Sequence, residues 1–97
     1  MHTDPAFWNA LAEKYARLPV KDPEAFDRKI AITKSKMTPQ DIILDIGCGT
    51  GSLALRLASS AAEVHGLDLS SEMIRIAKEK TSAQNVDNVT FHIGPFD

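Results

Sequence analysis

At 97 residues, with 43% hydrophobic and 25% charged side chains, the chain has the composition of one small globular domain, which excludes the disordered, fibrous and low-complexity classes. A domain of this size buries little more than ~60% of its unfolded surface, so a thin margin of stability is expected. The formal charge is -2 and the eleven Lys and Arg are scattered rather than blocked, which argues against a nucleic-acid partner or an anionic membrane surface.

Met1 to Ala6 lacks the basic and apolar regions of a signal peptide, and no later apolar run approaches the ~18 residues of a spanning helix. A cytoplasmic location is therefore the default expectation. Two helices announce themselves in the same way: Asp4-Pro5 and Asp22-Pro23 each place an N-cap acceptor before a proline whose missing N–H costs nothing at the first helical position. The first helix, Pro5 to Leu18, sets Phe7, Trp8, Leu11, Ala12 and Tyr15 on one face that must cover something. The second, Pro23 to Lys36, carries Phe26, Ile30 and Met37 on its apolar side, and Thr38-Pro39 closes it.

From Asp41 the character changes. Ile42 to Ile46 is a short β-branched run that reads as a strand buried on both faces, as in a parallel sheet. It ends at Gly47-Cys48-Gly49-Thr50-Gly51, and Ser52 to Ser60 follows with helical spacing of Leu53, Leu57 and Ala54, Ala58. The unit then repeats: strand Glu63 to Asp68, a helix from Ser70 to about Thr81 with Met73, Ile74, Ile76 and Ala77, and strand Val89 to Ile93. Strands alternating with helices predict an α/β fold with a parallel sheet, and right-handed crossovers give the order 3-2-1 with the first strand innermost in any larger sheet.

The glycine turn carries the chemistry. Glycine lets the backbone turn with positive φ and approach a ligand closely, while the following helix directs unpaired N–H groups to the same place. Asp68, nineteen residues after Gly49 and at the end of the second strand, can take both hydroxyls of a ribose. Such a bond to a charged group is worth about 1.5–3 kcal/mol. Gly49 to Ala54 also fits the loose G-x-G-x-x-G/A pattern of NAD-binding folds, so the glycines alone leave two nucleoside cofactors open. Asp45, two residues before the G-x-G-x-G string, separates them: a carboxylate there repels a pyrophosphate and attracts a sulfonium with an α-amino group.

Ile43 to Gly51 resembles motif I of the class I S-adenosylmethionine-dependent methyltransferases, and His65 to Ile74 resembles the second-strand motif that follows it. The resemblance covers Asp41 to Asp97, while the upstream helices are similar to the N-terminal cap of small-molecule methyltransferases in that superfamily. It implies the N-terminal half of a Rossmann-like doubly wound parallel sheet preceded by two cap helices: cap residues 1–38, then residues 39–97 as a truncated S-adenosyl-L-methionine-binding domain. It also implies site roles. Gly47, Cys48, Gly49 and Gly51 form the bed for the methionine part, Asp45 orients the loop and the amino end, and Asp68 holds the ribose. Leu69 and Met73 line the adenine face, and Tyr15 reaches the methionine carboxylate. The family's usual Gly-Asp after the third strand is Gly94-Pro95 here, so Asp97 is the expected substitute at the adenine amine.

Bland readings stand beside these. The aromatic stripe of Trp8 and Tyr15 is most often core, and Cys48 between glycines has no acid–base partner fixed near it, so it reads as inert. His65 and His92 lie on neighbouring predicted strands without a third ligand, and no metal site is expected. Residues that position a methyl acceptor belong, by the resemblance, to a later half of the fold, so catalytic residues stay unassigned and the chain alone is expected to be inactive. An open first strand would then be a self-association edge. Three functions fit the sequence: a methyltransferase with a small-molecule acceptor and no nucleic-acid or membrane partner, an NAD-dependent oxidoreductase fragment, and a non-catalytic cofactor- or partner-binding module.

Overall fold

The computed structural model describes residues 4–18 and 21–95. Helix α1 spans Pro5–Arg17 and α2 spans Pro23–Ser35, and each opens on the expected cap. The Asp4 carboxylate accepts the Ala6 N–H at 2.9 Å and that of Asp22 accepts the Ala25 N–H at 3.1 Å. Strand β1 is Ile42–Ile46 and helix α3 is Ser52–Leu57, which tightens into a 3-10 turn over Ala58–Ser60 where one continuous helix was expected. Strand β2 is Glu63–Asp68, helix α4 is Ser71–Ala83 with Ser70 as its N-cap, and strand β3 is Val89–Ile93.

The three strands pair in parallel in the order β1-β2-β3, the predicted order. Asp45 stands beside Gly66, and Gly66 beside Phe91. Both crossovers run the same way across the sheet, so right-handedness places α3 and α4 on one face. There Ala54, Ile74 and Ala77 close on Val64 and Phe91, with Ile43 packed alongside. A second cluster, Ala12, Met73 and Ile76 with Trp8, joins α1 to α4.

Two expectations change. Strand β1 is not buried on both faces: Ile43 and Asp45 point to the helices, while Ile42, Leu44 and Ile46 remain 68%, 58% and 57% exposed. Two crossovers of one hand cover one face of a sheet, and among the described residues no helix lies on the other. The five-residue face predicted for α1 is also too wide. A helix packed chiefly on one partner buries a narrower stripe, here Ala12 with Trp8 and Leu11 half-buried, and Phe7 and Tyr15 stay exposed.

Candidate active site

The turn between β1 and α3 is built on three left-handed glycines, Gly47, Gly49 and Gly51, at φ 72°, 57° and 85°. Any side chain would strain that path. The turn hangs from the next strand: the N–H groups of Gly47 and Cys48 both donate to the Leu67 carbonyl, at 2.8 and 3.0 Å, and the Gly51 N–H donates to the Cys48 carbonyl at 3.0 Å. Its floor is the ring of Phe91. A Cβ added at Gly51 would stand 2.6 Å from Phe91 Cζ, and one at Gly66 would stand 2.6 Å from Phe91 Cδ1 and 2.9 Å from Cys48 Sγ.

Asp68 closes the far side. One carboxylate oxygen accepts the Gly49 N–H at 2.8 Å and the other accepts the Ser70 N–H at 2.9 Å. Each oxygen keeps lone-pair capacity for a further donor. Asp45 is half-buried, and burial raises its pKa above the ordinary carboxylate value, opposed by the charge of Lys29 and assisted by that of Asp68. The repulsion from Asp68 is thus the smallest of the three influences on Asp45, and Lys29 opposes it. At Cys48, burial, with the charges of Asp68 and Asp45, pushes the thiol up to about 12. It is a packed thiol, in keeping with the inert reading.

The other expected residues fall as follows. Tyr15 is 54% exposed, yet its Cε1 comes within 3.9 Å of where a Gly49 Cβ would stand, so α1 leans over the turn. Leu69 is half-buried beyond Asp68. Met73 is 2% exposed and packs with Ala12 and Ile76 beneath α1, a core position in this arrangement. Asp97 lies outside the described residues.

Four residues of the site carry no site role by sequence pattern, and Lys80, expected on the solvated face of its helix, is half-buried. Gly66 and Phe91 set the height of the turn, and the isolated glycine inside a strand was the available signal of close approach. Lys80 brings its Nζ to 3.3 Å from Thr50 Oγ1 and 3.1 Å from Ser52 Oγ, and burial lowers its pKa. Asn9 ties α1 to the start of α4. No local pattern marks Lys80 or Asn9, because their partners lie far along the chain.

His65 and His92 meet on the open sheet face, with His65 Nδ1 3.0 Å from His92 Nε2 and rings stacked at 5.3 Å. The other ring nitrogen of His65 lies 3.1 Å from a Glu63 carboxylate oxygen. Among the described residues no group of three or more His, Cys, Asp or Glu is placed to hold a metal ion, and no helix is long and apolar enough to cross a membrane.

Residues 37–97 match the family model described as methyltransferase domain, more than half of the chain. A protein of Geobacillus sp. (strain WCH70) provisionally named a methyltransferase is 57% identical over 44 residues, 45% of this chain and 18% of that one. The ubiquinone/menaquinone biosynthesis C-methyltransferase UbiE of Geotalea daltonii is 38% identical over 61 residues, 60% of this chain and 26% of that enzyme. Other relatives, at 34% to 38% identity, carry the names of RNA methyltransferases. Among solved structures, the DhpI–SAH complex superposes with a TM-score of 0.74 at 26% identity, over 92% of this chain and 42% of that one. The chain spans about a quarter or less of the length of the curated relatives named here.

Proposed function

The chain belongs to the methyltransferase domain family, and from that premise we propose that it holds S-adenosyl-L-methionine at the Gly47–Gly51 turn for methyl transfer to a small-molecule acceptor. In this reading residues 1–38 cap the site and residues 39–97 bind the cofactor. The observation that carries it is the Asp68 carboxylate, oriented by the Gly49 and Ser70 N–H groups at the mouth of a glycine turn that has a second carboxylate, Asp45, beside it.

The donor set fits the cofactor. Asp68 offers lone pairs to two ribose hydroxyls, and Asp45 and Asp68 together favour a ligand that carries positive charge. Bound there, S-adenosyl-L-methionine supplies an activated methyl group. The work of these residues is to bind and orient: the glycines admit the ligand against the backbone, Asp68 fixes the ribose, and Tyr15 shields the outer side. No residue of this chain is assigned to the acceptor, and the chain by itself is read as a cofactor-binding portion without turnover.

A small-molecule acceptor is supported by the net charge of -2 and the scattered Lys and Arg. The expectation that nucleic acid plays no part finds no support among the relatives, several of which are RNA methyltransferases by name. Calorimetric titration of S-adenosyl-L-methionine, and separately NAD, into this chain and into Asp68→Ala tests the cofactor. Binding of the first alone, lost in the variant, is expected. Binding of NAD instead would sink the reading. An electrophoretic shift of structured RNA at physiological salt would replace the small-molecule acceptor with RNA.

A further inference from the structure

We propose that Asn9 is a positioning residue whose side-chain oxygen latches α1 over the cofactor turn, so that cofactor affinity depends on a contact remote from the cofactor itself. This deepens the function proposed above and rests on it. Asn9 lies on α1, and its Oδ1 accepts three donors from the start of α4: the Ser70 hydroxyl, the Glu72 N–H at 3.1 Å and, more weakly, the Ser71 hydroxyl at 3.5 Å. The Glu72 main chain can only donate at its nitrogen, which fixes the facing atom of Asn9 as oxygen.

Ser70 makes this contact more than a surface cap. It is fully buried, its hydroxyl accepts the Met73 N–H at 3.1 Å, and its one proton goes to Asn9. Its own N–H goes to Asp68, whose other oxygen holds Gly49. One hydrogen-bonded line therefore runs from α1 through Ser70 and Asp68 to the glycine turn. At its far end, α1 carries Tyr15 to the outer side of Gly49. A 13-residue helix is marginal in isolation, so α1 depends on such contacts to stay in place. Beside the apolar cluster of Trp8, Ala12, Met73 and Ile76, a second polar tie, between Glu13 and Arg75, is exposed and screened by salt. Removing the Asn9 acceptor leaves a buried hydroxyl and a backbone N–H unpaired. Since the ligand binds where α1 is docked, docking and binding favour each other reciprocally.

The 97-residue chain supplies its own reporter. Trp8, its single tryptophan, sits next to Asn9 on α1 and packs against the α4 cluster. Two variants are compared with the unaltered chain at about 0.5 M NaCl, where the Glu13–Arg75 tie is screened. Asn9→Ala removes the acceptor, while Asn9→Asp keeps it at the positive end of α4. Acrylamide quenching of Trp8 without ligand reads docking, and calorimetric titration of S-adenosylhomocysteine reads the site. Asn9→Ala is expected to raise quenching and weaken binding roughly tenfold, and Asn9→Asp to hold both near those of the unaltered chain. The proposal is overturned if Asn9→Asp is as damaged as Asn9→Ala, if Asn9→Ala leaves quenching unchanged, or if it frees Trp8 without loss of affinity. If the unaltered chain binds no S-adenosylhomocysteine, the cofactor reading fails and takes the coupling with it, whereas the latch itself is still judged by the quenching.

Discussion

The Asp68 carboxylate reaches back nineteen residues along the chain to accept the Gly49 N–H at 2.8 Å, so the residue read as the ribose acceptor also shapes the turn it serves. Asp68→Asn tests the double role. An amide presents an acceptor to only one of the two N–H groups, so one charge-assisted bond is lost along with the ligand. Urea unfolding is expected to show a loss of about 1–3 kcal/mol, and the cofactor titration a loss of binding. Unchanged stability with lost binding would mean that the turn holds its shape without the carboxylate.

Asp45 should show the opposite balance of stability and function. Burial holds its pKa above the unfolded value, so the folded state keeps the proton longer. Below the unfolded pKa the group contributes nothing. As pH rises through the window between the two values, folding loses stability, and the full cost persists above the folded pKa. Asp45→Asn is therefore expected to raise Tm at pH 7, to leave it unchanged at the acid end of that window, and to weaken cofactor binding. A melting series in pH, run on both proteins, checks the sign.

Gly66→Ala tests the floor of the site. The added methyl would meet Phe91 carbons at 2.6 and 2.7 Å and Cys48 Sγ at 2.9 Å, in a cluster where Phe91 is buried. Overpacking of this kind costs about 1–3 kcal/mol, read as a lower urea midpoint. Adding Phe91→Leu, which removes the ring edge, is expected to recover part of the loss.

Cys48 should react slowly. Its thiol is pushed up to about 12 and packs against the Gly66 backbone, so very little thiolate forms at neutral pH. Alkylation by iodoacetamide at pH 8 is expected to be more than tenfold slower in the folded chain than in urea. Equal rates would show that the turn opens faster than the reagent acts.

Much of this was legible in the chain itself, for identifiable reasons. All three strands fall where the β-branched runs and glycines place them, and α1 and α2 begin at their Asp-Pro caps, because those signals are local. The glycine turn and Asp68 come together as their spacing implied, since a parallel pair of strands brings the ends of β1 and β2 side by side. What escaped is non-local. The exposure of Ile42, Leu44 and Ile46 depends on which sheet face the helices occupy, and the exposure of Tyr15 on how wide a partner α1 meets. The contacts of Asn9 span more than sixty residues, beyond any pattern of period two or 3.6.

The place of Phe91 beneath the turn also bears on time. The segment 47–51 precedes its floor by some forty residues, because that floor is a ring on β3, close to both Gly51 and Gly66. Contacts of long sequence separation form late, because the loop they close must first be ordered. The packing of the turn on that ring therefore waits for β3 to pair with β2, whereas its backbone bonds to Leu67 do not. A nascent chain would carry every glycine of the motif and still lack the floor beneath them until residue 91 had arrived and docked.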